Sequence, residues 1–133
     1  MGFSMETERV VLLLTDEAQN CHATENCLRE DGFAPIVFHT PEEILDACGE
    51  FSPELVMLDV AESSLDVASS CRVLREKYSG ALVVLAEHAD EMFQVLGLEM
   101  GADDFVVKPI SATLLRARIR AVLRRRKLAE TGE

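Results

Sequence analysis

No stretch of this 133-residue chain approaches the roughly 18 consecutive apolar residues that a membrane-spanning helix needs. The N-terminus, Met1-Gly2-Phe3-Ser4-Met5-Glu6, lacks the basic start and apolar core of a secretory signal. A cytoplasmic protein that stays out of the membrane is therefore the expectation. The four cysteines, Cys21, Cys27, Cys48 and Cys71, show no CxxC spacing, so reduced, half-buried thiols are expected rather than a metal site or a disulfide framework. His22, His39 and His88 form no ligand spacing either. Bases are scarce over most of the chain: residues 1–110 hold 22 acids against 6 bases, whereas residues 111–133 hold 7 bases against 2 acids. With a net charge of −11, most of the surface should repel nucleic acid and anionic membrane. The basic run Arg124-Arg125-Arg126-Lys127 reads as the solvated end of a helix, where cations suit the negative end of the dipole.

What is present is the composition of an ordinary globular domain, 48% hydrophobic and 28% charged, in a chain long enough for one core. Short apolar runs alternate with helix-period segments. Strands are predicted at Arg9 to Leu14, Pro35 to Phe38, Leu55 to Leu58, Ala81 to Ala86 and Phe105 to Val107. The first helix should run from Glu17 to about Asp31 and stop at Gly32. Thr40-Pro41-Glu42-Glu43 supplies a cap, a first-turn proline and first-turn acids for a second helix, ending near Cys48 and Gly49. A third, from Leu65 to Lys77, carries Val67, Cys71 and Leu74 on one face, continued by Tyr78. A fourth spans Asp90 to Met100 with Phe93, Leu96 and Met100 inward and Gly101 as its stop. The last begins near Ser111, carries Leu114, Leu115, Arg118, Ile119, Val122 and Leu123, and should fray from Ala129. Residues 1–8 read as a loose arm, 9–127 as one domain, and 128–133 as a tail or the start of a linker.

Five such βα units predict an α/β fold: a flavodoxin-like, doubly wound (βα)5 three-layer sandwich with a parallel sheet of order 2-1-3-4-5. In that order strands one and three flank the topological switch point, where this fold class binds ligands at the carboxyl ends of its strands. Three buried strands deliver polar groups there. The run Leu55-Val56-Met57-Leu58 ends on Asp59, the first strand leads into Asp16 and Glu17, and the fifth leads into Lys108-Pro109. Clustered carboxylates repel unless a cation neutralises them. Mg²⁺ prefers oxygen ligands, a carboxylate can attack phosphorus, and a lysine can offset the charge of the transferring group. Three acids and a lysine at one sheet edge are thus a candidate site for a divalent cation and a phosphoryl group.

In these motifs the chain resembles the response-regulator receiver family over roughly residues 9–127. The resemblance rests on Asp16-Glu17 after strand one, Asp59 closing strand three, Asp66 seven positions later, Gly101-Ala102-Asp103-Asp104-Phe105, and Lys108-Pro109. It implies that Asp59 accepts a phosphoryl group from a sensor histidine kinase or a phosphotransfer protein. It implies further that Asp16, Glu17, Asp59 and the backbone carbonyl of Ala61 hold Mg²⁺, and that Lys108, often followed by a cis bond to proline, contacts the phosphoryl group. Phe105 stands at the switch aromatic. Such a domain is a phosphoacceptor rather than an enzyme. The last third is most similar to receivers of winged-helix transcription regulators, which dimerise through the fourth helix, fifth strand and fifth helix. Asp103, Asp104, Arg118 and Arg120 match that pattern, so a homodimer is one expectation.

The chain departs from the family at defined places. Where the family has a Ser or Thr at the end of strand four, this chain has Ala86, followed by Glu87. The missing hydroxyl removes a charge-assisted hydrogen bond worth roughly 1.5–3 kcal/mol. The loop after Asp59 has Ser63, Ser64 and Val67 where proline and glycines are usual, and Gln94 and Leu114 replace an ion pair of the dimer face. These departures leave an alternative open: a degenerate receiver that acts as a phosphorylation-independent interaction or dimerisation module. A flavodoxin-type cofactor domain ranks below both, because acidic Asp16-Glu17-Ala18 stands where a phosphate loop would be needed.

Overall fold

The computed structural model describes residues 9–15, 22–60, 65–87 and 90–131, with residues 65, 66 and 131 described by backbone only. Strands β1 (Arg9–Thr15), β2 (Phe33–Phe38), β3 (Leu55–Val60), β4 (Ala81–Ala86) and β5 (Asp104–Val107) alternate with helices α1 (His22–Glu30), α2 (Pro41–Phe51), α3 (Leu65–Arg75), α4 (Glu91–Glu99) and α5 (Ala112–Thr131). All strand pairs are parallel and the order is β2-β1-β3-β4-β5, the predicted doubly wound sheet.

Strand parity divides the core in two. Leu12, Leu14, Val56, Leu58, Leu82, Val84, Ala86 and Phe105 pack with Ile44 and Ala47 of α2 and Cys71 and Leu74 of α3. The alternate residues Val11, Leu13, Leu55, Met57, Val83, Leu85 and Val106 pack with Cys27 and Leu28 of α1 and Leu115, Ile119 and Val122 of α5. Continuous apolar runs are what a strand covered on both faces requires. Pro35, which lacks an N–H, lies on the edge strand β2, where its loss costs least. Burial raises the Cys27 and Cys48 thiols and pushes Cys71 up to about 11, as expected of unreactive reduced cysteines.

Several boundaries differ from expectation. Helix α2 passes through Gly49 to Phe51 and is capped by Ser52, whose φ of 48° is left-handed. Gly49 faces solvent with nothing within 4 Å of its side-chain position, so it acts as an ordinary helical residue. The predicted cap does form at its start, as a reciprocal capping box: Glu43 N–H donates to Thr40 Oγ1 at 3.3 Å, and Glu43 Oε1 accepts from Thr40 N–H at 3.3 Å. Strand β3 continues through Asp59 to Val60, because ladder pairing with β4 extends that far. Helix α5 runs unbroken to Thr131 instead of fraying at Ala129. The predicted start of the first helix at Glu17 lies outside the described residues. Leu114, expected on the face of α5 with the core residues, is half exposed, while Leu115, Ile119 and Val122 are buried.

Candidate functional site

Asp59 is fully buried at the carboxyl-terminal end of β3. Its register partners are Thr15 on β1 and Leu85 on β4. Leu55 and Met57 share its parity and face α1 and α5, so Asp59 belongs to that face. Lys108 follows β5, and its Nζ donates to Asp59 Oδ1 at 2.7 Å. The other carboxylate oxygen, Oδ2, accepts from the Thr24 hydroxyl at 2.8 Å, and Thr24 lies on α1, 6% exposed. A buried carboxylate needs such donors to remain charged. Lys108 keeps a side-chain exposure of 18%, so the pair opens to solvent from the lysine side. A cavity of about 670 Å³ lies there, lined by Thr24, Cys27, Leu85, Glu87, Lys108 and Pro109 among others. A cavity of about 750 Å³ lies at the opposite end of the sheet, beside Arg9 and Arg124.

The backbone around Lys108 sets its position. Lys108 N–H donates to Ala86 O at 2.7 Å, tying the turn to the end of β4. The Lys108–Pro109 peptide is cis. Ala86 is fully buried and belongs with Phe105 to the opposite face of the sheet. Asp16, Glu17 and Ala61, read from sequence as cation ligands, lie outside the described residues, as does the Asp66 side chain. Thr24 and Thr15 were not anticipated. The available signal for Thr24 was its place on the buried stripe of α1, three and four residues before Cys27 and Leu28. For Thr15 it was adjacency to Asp16 at the end of an apolar strand, where it is 1% exposed.

The four residues assigned to a dimer face do not stay together. Asp104 pairs with Arg118 at 3.1 Å within the chain. Asp103 is held inward: it accepts from Arg75 and Arg126 and from Leu82 N–H at 2.9 Å. Arg120 turns to the other side of α5 and pairs with Asp31 beyond α1, and its hydrogen bond holds the Asp31 carboxyl below the usual range. The exposed apolar residues Met92, Val95 and Leu98 of α4, Val107 of β5 and Leu114 of α5 lie on the three elements that the resemblance implicates.

The family model for the response regulator receiver domain matches residues 11–120. This chain belongs to the response regulator receiver family. The receiver is 40% identical over 121 residues to the transcriptional regulatory protein CseB of Streptomyces avermitilis, covering 91% of this chain and 52% of that protein. To the probable transcriptional regulator ycf27 of Guillardia theta it is 36% identical over 125 residues, covering 94% of this chain and 49% of that protein. The chain thus spans about half the length of these curated relatives. Among solved structures, the BeF3-activated N-terminal receiver domain of Klebsiella pneumoniae RstA superposes with a TM-score of 0.77 at 27% identity, covering 87% of this receiver and 99% of that chain. The orphan response regulator HP1043 of H. pylori gives 0.73 at 27% identity, covering 86% and 96%. Among the described residues, no helix is long and apolar enough to cross a membrane.

Proposed function

We propose that this receiver is a phosphoacceptor switch in two-component signalling, with Asp59 taking a phosphoryl group from a phosphohistidine of a sensor kinase or phosphotransfer protein. The observation that carries this reading is the Asp59–Lys108 pair: a fully buried carboxylate with an ammonium 2.7 Å from one oxygen, at the carboxyl edge of the sheet. An isolated buried ion pair is poor value for stability alone, so its placement in the ligand-binding edge favours a chemical role. When a phosphoryl group is joined to Asp59, the Lys108 ammonium is within reach of its oxygens and offsets their charge.

Asp16, Glu17, Asp59 and the Ala61 carbonyl would supply only oxygen donors, which suits Mg²⁺, and the ion when bound would neutralise part of the phosphoryl charge. Asp59, the described member of that set, fits the role as a carboxylate already fixed in direction by donors from two elements. The output acts through α4, β5 and α5, where Met92, Val95, Leu98, Val107 and Leu114 present apolar surface beside the Asp104–Arg118 pair. Partners there include a second copy of the chain, and the acidic bulk of the receiver speaks against direct nucleic-acid binding.

A second reading, a constitutive interaction module, is favoured by two observations. Ala86 brings no hydroxyl to the site, and Phe105 is already packed inward, 6% exposed. Intact-mass spectrometry after incubation with a small phosphodonor separates the two. The first reading expects a Mg²⁺-dependent gain of one phosphoryl mass, absent in Asp59→Asn. No gain, under conditions that phosphorylate a control receiver, selects the second.

A further inference from the structure

Thr24 is a polar contact of Asp59, among the described residues, that the phosphoacceptor reading leaves unused. It lies within the first turn of α1, 6% exposed, on the stripe that also buries Cys27 and Leu28. An apolar side chain would suit that stripe as well for packing alone. Instead its hydroxyl crosses from helix to sheet and donates to Asp59 Oδ2 at 2.8 Å, between residues 35 apart in sequence. Lys108 donates to Oδ1 at 2.7 Å from the far end of the chain. The torsion that turns a carboxylate plane is soft and roughly two-fold. One donor leaves the plane free to swing, whereas two donors on different oxygens, from α1 and from the turn after β5, fix it. Ala86, a methyl on the opposite face of the sheet, gives no help in that orientation.

Building on the phosphoacceptor reading, we infer that Thr24 is a positioning residue for phosphoryl transfer: it pins Oδ2 so that Oδ1, on the Lys108 side, is presented to phosphorus. In that step an electron pair of Oδ1 forms the new O–P bond. The bond from phosphorus to the donor breaks, and its pair leaves on the carboxylate of an acyl phosphate or on the imidazole of a phosphohistidine, which is protonated from solvent. Thr24 keeps its proton and stays bonded to Oδ2. Fixing the nucleophile's direction in this way belongs to the orientation effects that make small misplacements costly in rate.

The test follows phosphorylation of the whole chain by acetyl phosphate with Mg²⁺, read by intact mass, for the wild type, Thr24→Ser and Thr24→Val. Thermal unfolding without donor checks that each variant is folded, and Thr24→Ala makes the same comparison if the valine does not fold. Thr24→Val is expected to be phosphorylated about tenfold more slowly, with Thr24→Ser within about twofold of the wild type. Equal rates in all three, or a faster Thr24→Val, would overturn the role of Thr24 and leave Asp59 as acceptor. Equal slowing in Thr24→Ser and Thr24→Val would also overturn it, because the hydroxyl would not be what matters. A wild type that gains no mass beside a phosphorylated control receiver overturns the acceptor reading, and the role of Thr24 with it.

Discussion

The backbone of Gly97 on α4 lies against the ring of Phe105 on β5: a β-carbon at position 97 would stand 2.6 Å from Cδ2 of the ring. Phe105 shares its buried cluster with Val84, Ala86 and Ala102. Gly97, which has no side chain, thus leaves space for one large ring. The consequence is a tight seam between α4 and β5, two of the three elements proposed to carry the output.

Gly97→Ala should therefore destabilise the receiver by about 1–3 kcal/mol, the usual range for overpacking a filled core. Urea unfolding measures it. Adding Phe105→Leu, which removes the ring that the new methyl meets, should recover part of that loss. A double variant less stable than the sum of the single losses would place the clash elsewhere.

Lys108→Met leaves the Asp59 charge buried without its cation. The expected loss is about 3 kcal/mol in urea unfolding at neutral pH, since breaking a buried pair by removing one partner strands the other. The double variant Asp59→Asn/Lys108→Met should regain much of this, because neither charge then remains. A double-mutant cycle reads the coupling directly.

Gly101 answers two constraints at once. Its φ is +129°, and a β-carbon there would come 2.5 Å from Cγ of Arg75, whose Nε donates to Gly101 O at 2.9 Å. Gly101→Ala should cost more than about 1 kcal/mol. Removing the obstructing side chain with Arg75→Ala should not restore stability, because the backbone strain persists and the Arg75–Asp103 pair is lost as well. Thermal unfolding of the single and double variants tests this.

The Asp31–Arg120 pair sets an acid-side dependence. The hydrogen bond from Arg120 lowers the Asp31 carboxyl in the folded state. A lowered folded value contributes stability above the unfolded value, about 3.9, and that contribution is lost as pH falls through the folded value. Asp31→Asn should accordingly be less stable than the wild type at pH 7. The gap should close below about pH 4, as the wild-type carboxylate is protonated. Unfolding curves of the two proteins across that window decide it; a gap constant down to the lowest pH would point to packing instead.

Much of this receiver was legible from local pattern. Runs such as Leu82-Val83-Val84-Leu85 are too apolar for an exposed strand and too short for a helix, and the residues of Thr40-Pro41-Glu42-Glu43 cap a helix by local bonding alone. Boundaries were less legible where the deciding partner is remote. Asp59 and Val60 join β3 because β4 pairs with them, and Gly49 continues α2 because nothing at that exposed position breaks its ladder. The partners that the dimer-face residues take within the chain were not legible for a similar reason. Spacing put Arg118 and Arg120 on one helix, but a separation of two residues turns them to different sides, one to Asp104 and the other to Asp31.

From sequence alone, the order of strands and helices, the parallel sheet and the delivery of Asp59 and Lys108 to one edge were determined, because each follows from short-range periodicity and the handedness of crossover connections. Only the tertiary structure decided what meets Asp59. The parity of β3 turns it toward α1, and the packing of α1 on that face brings Thr24 to its second oxygen. No local rule contains that contact, because it depends on how a helix docks on a sheet formed by residues far away in the chain.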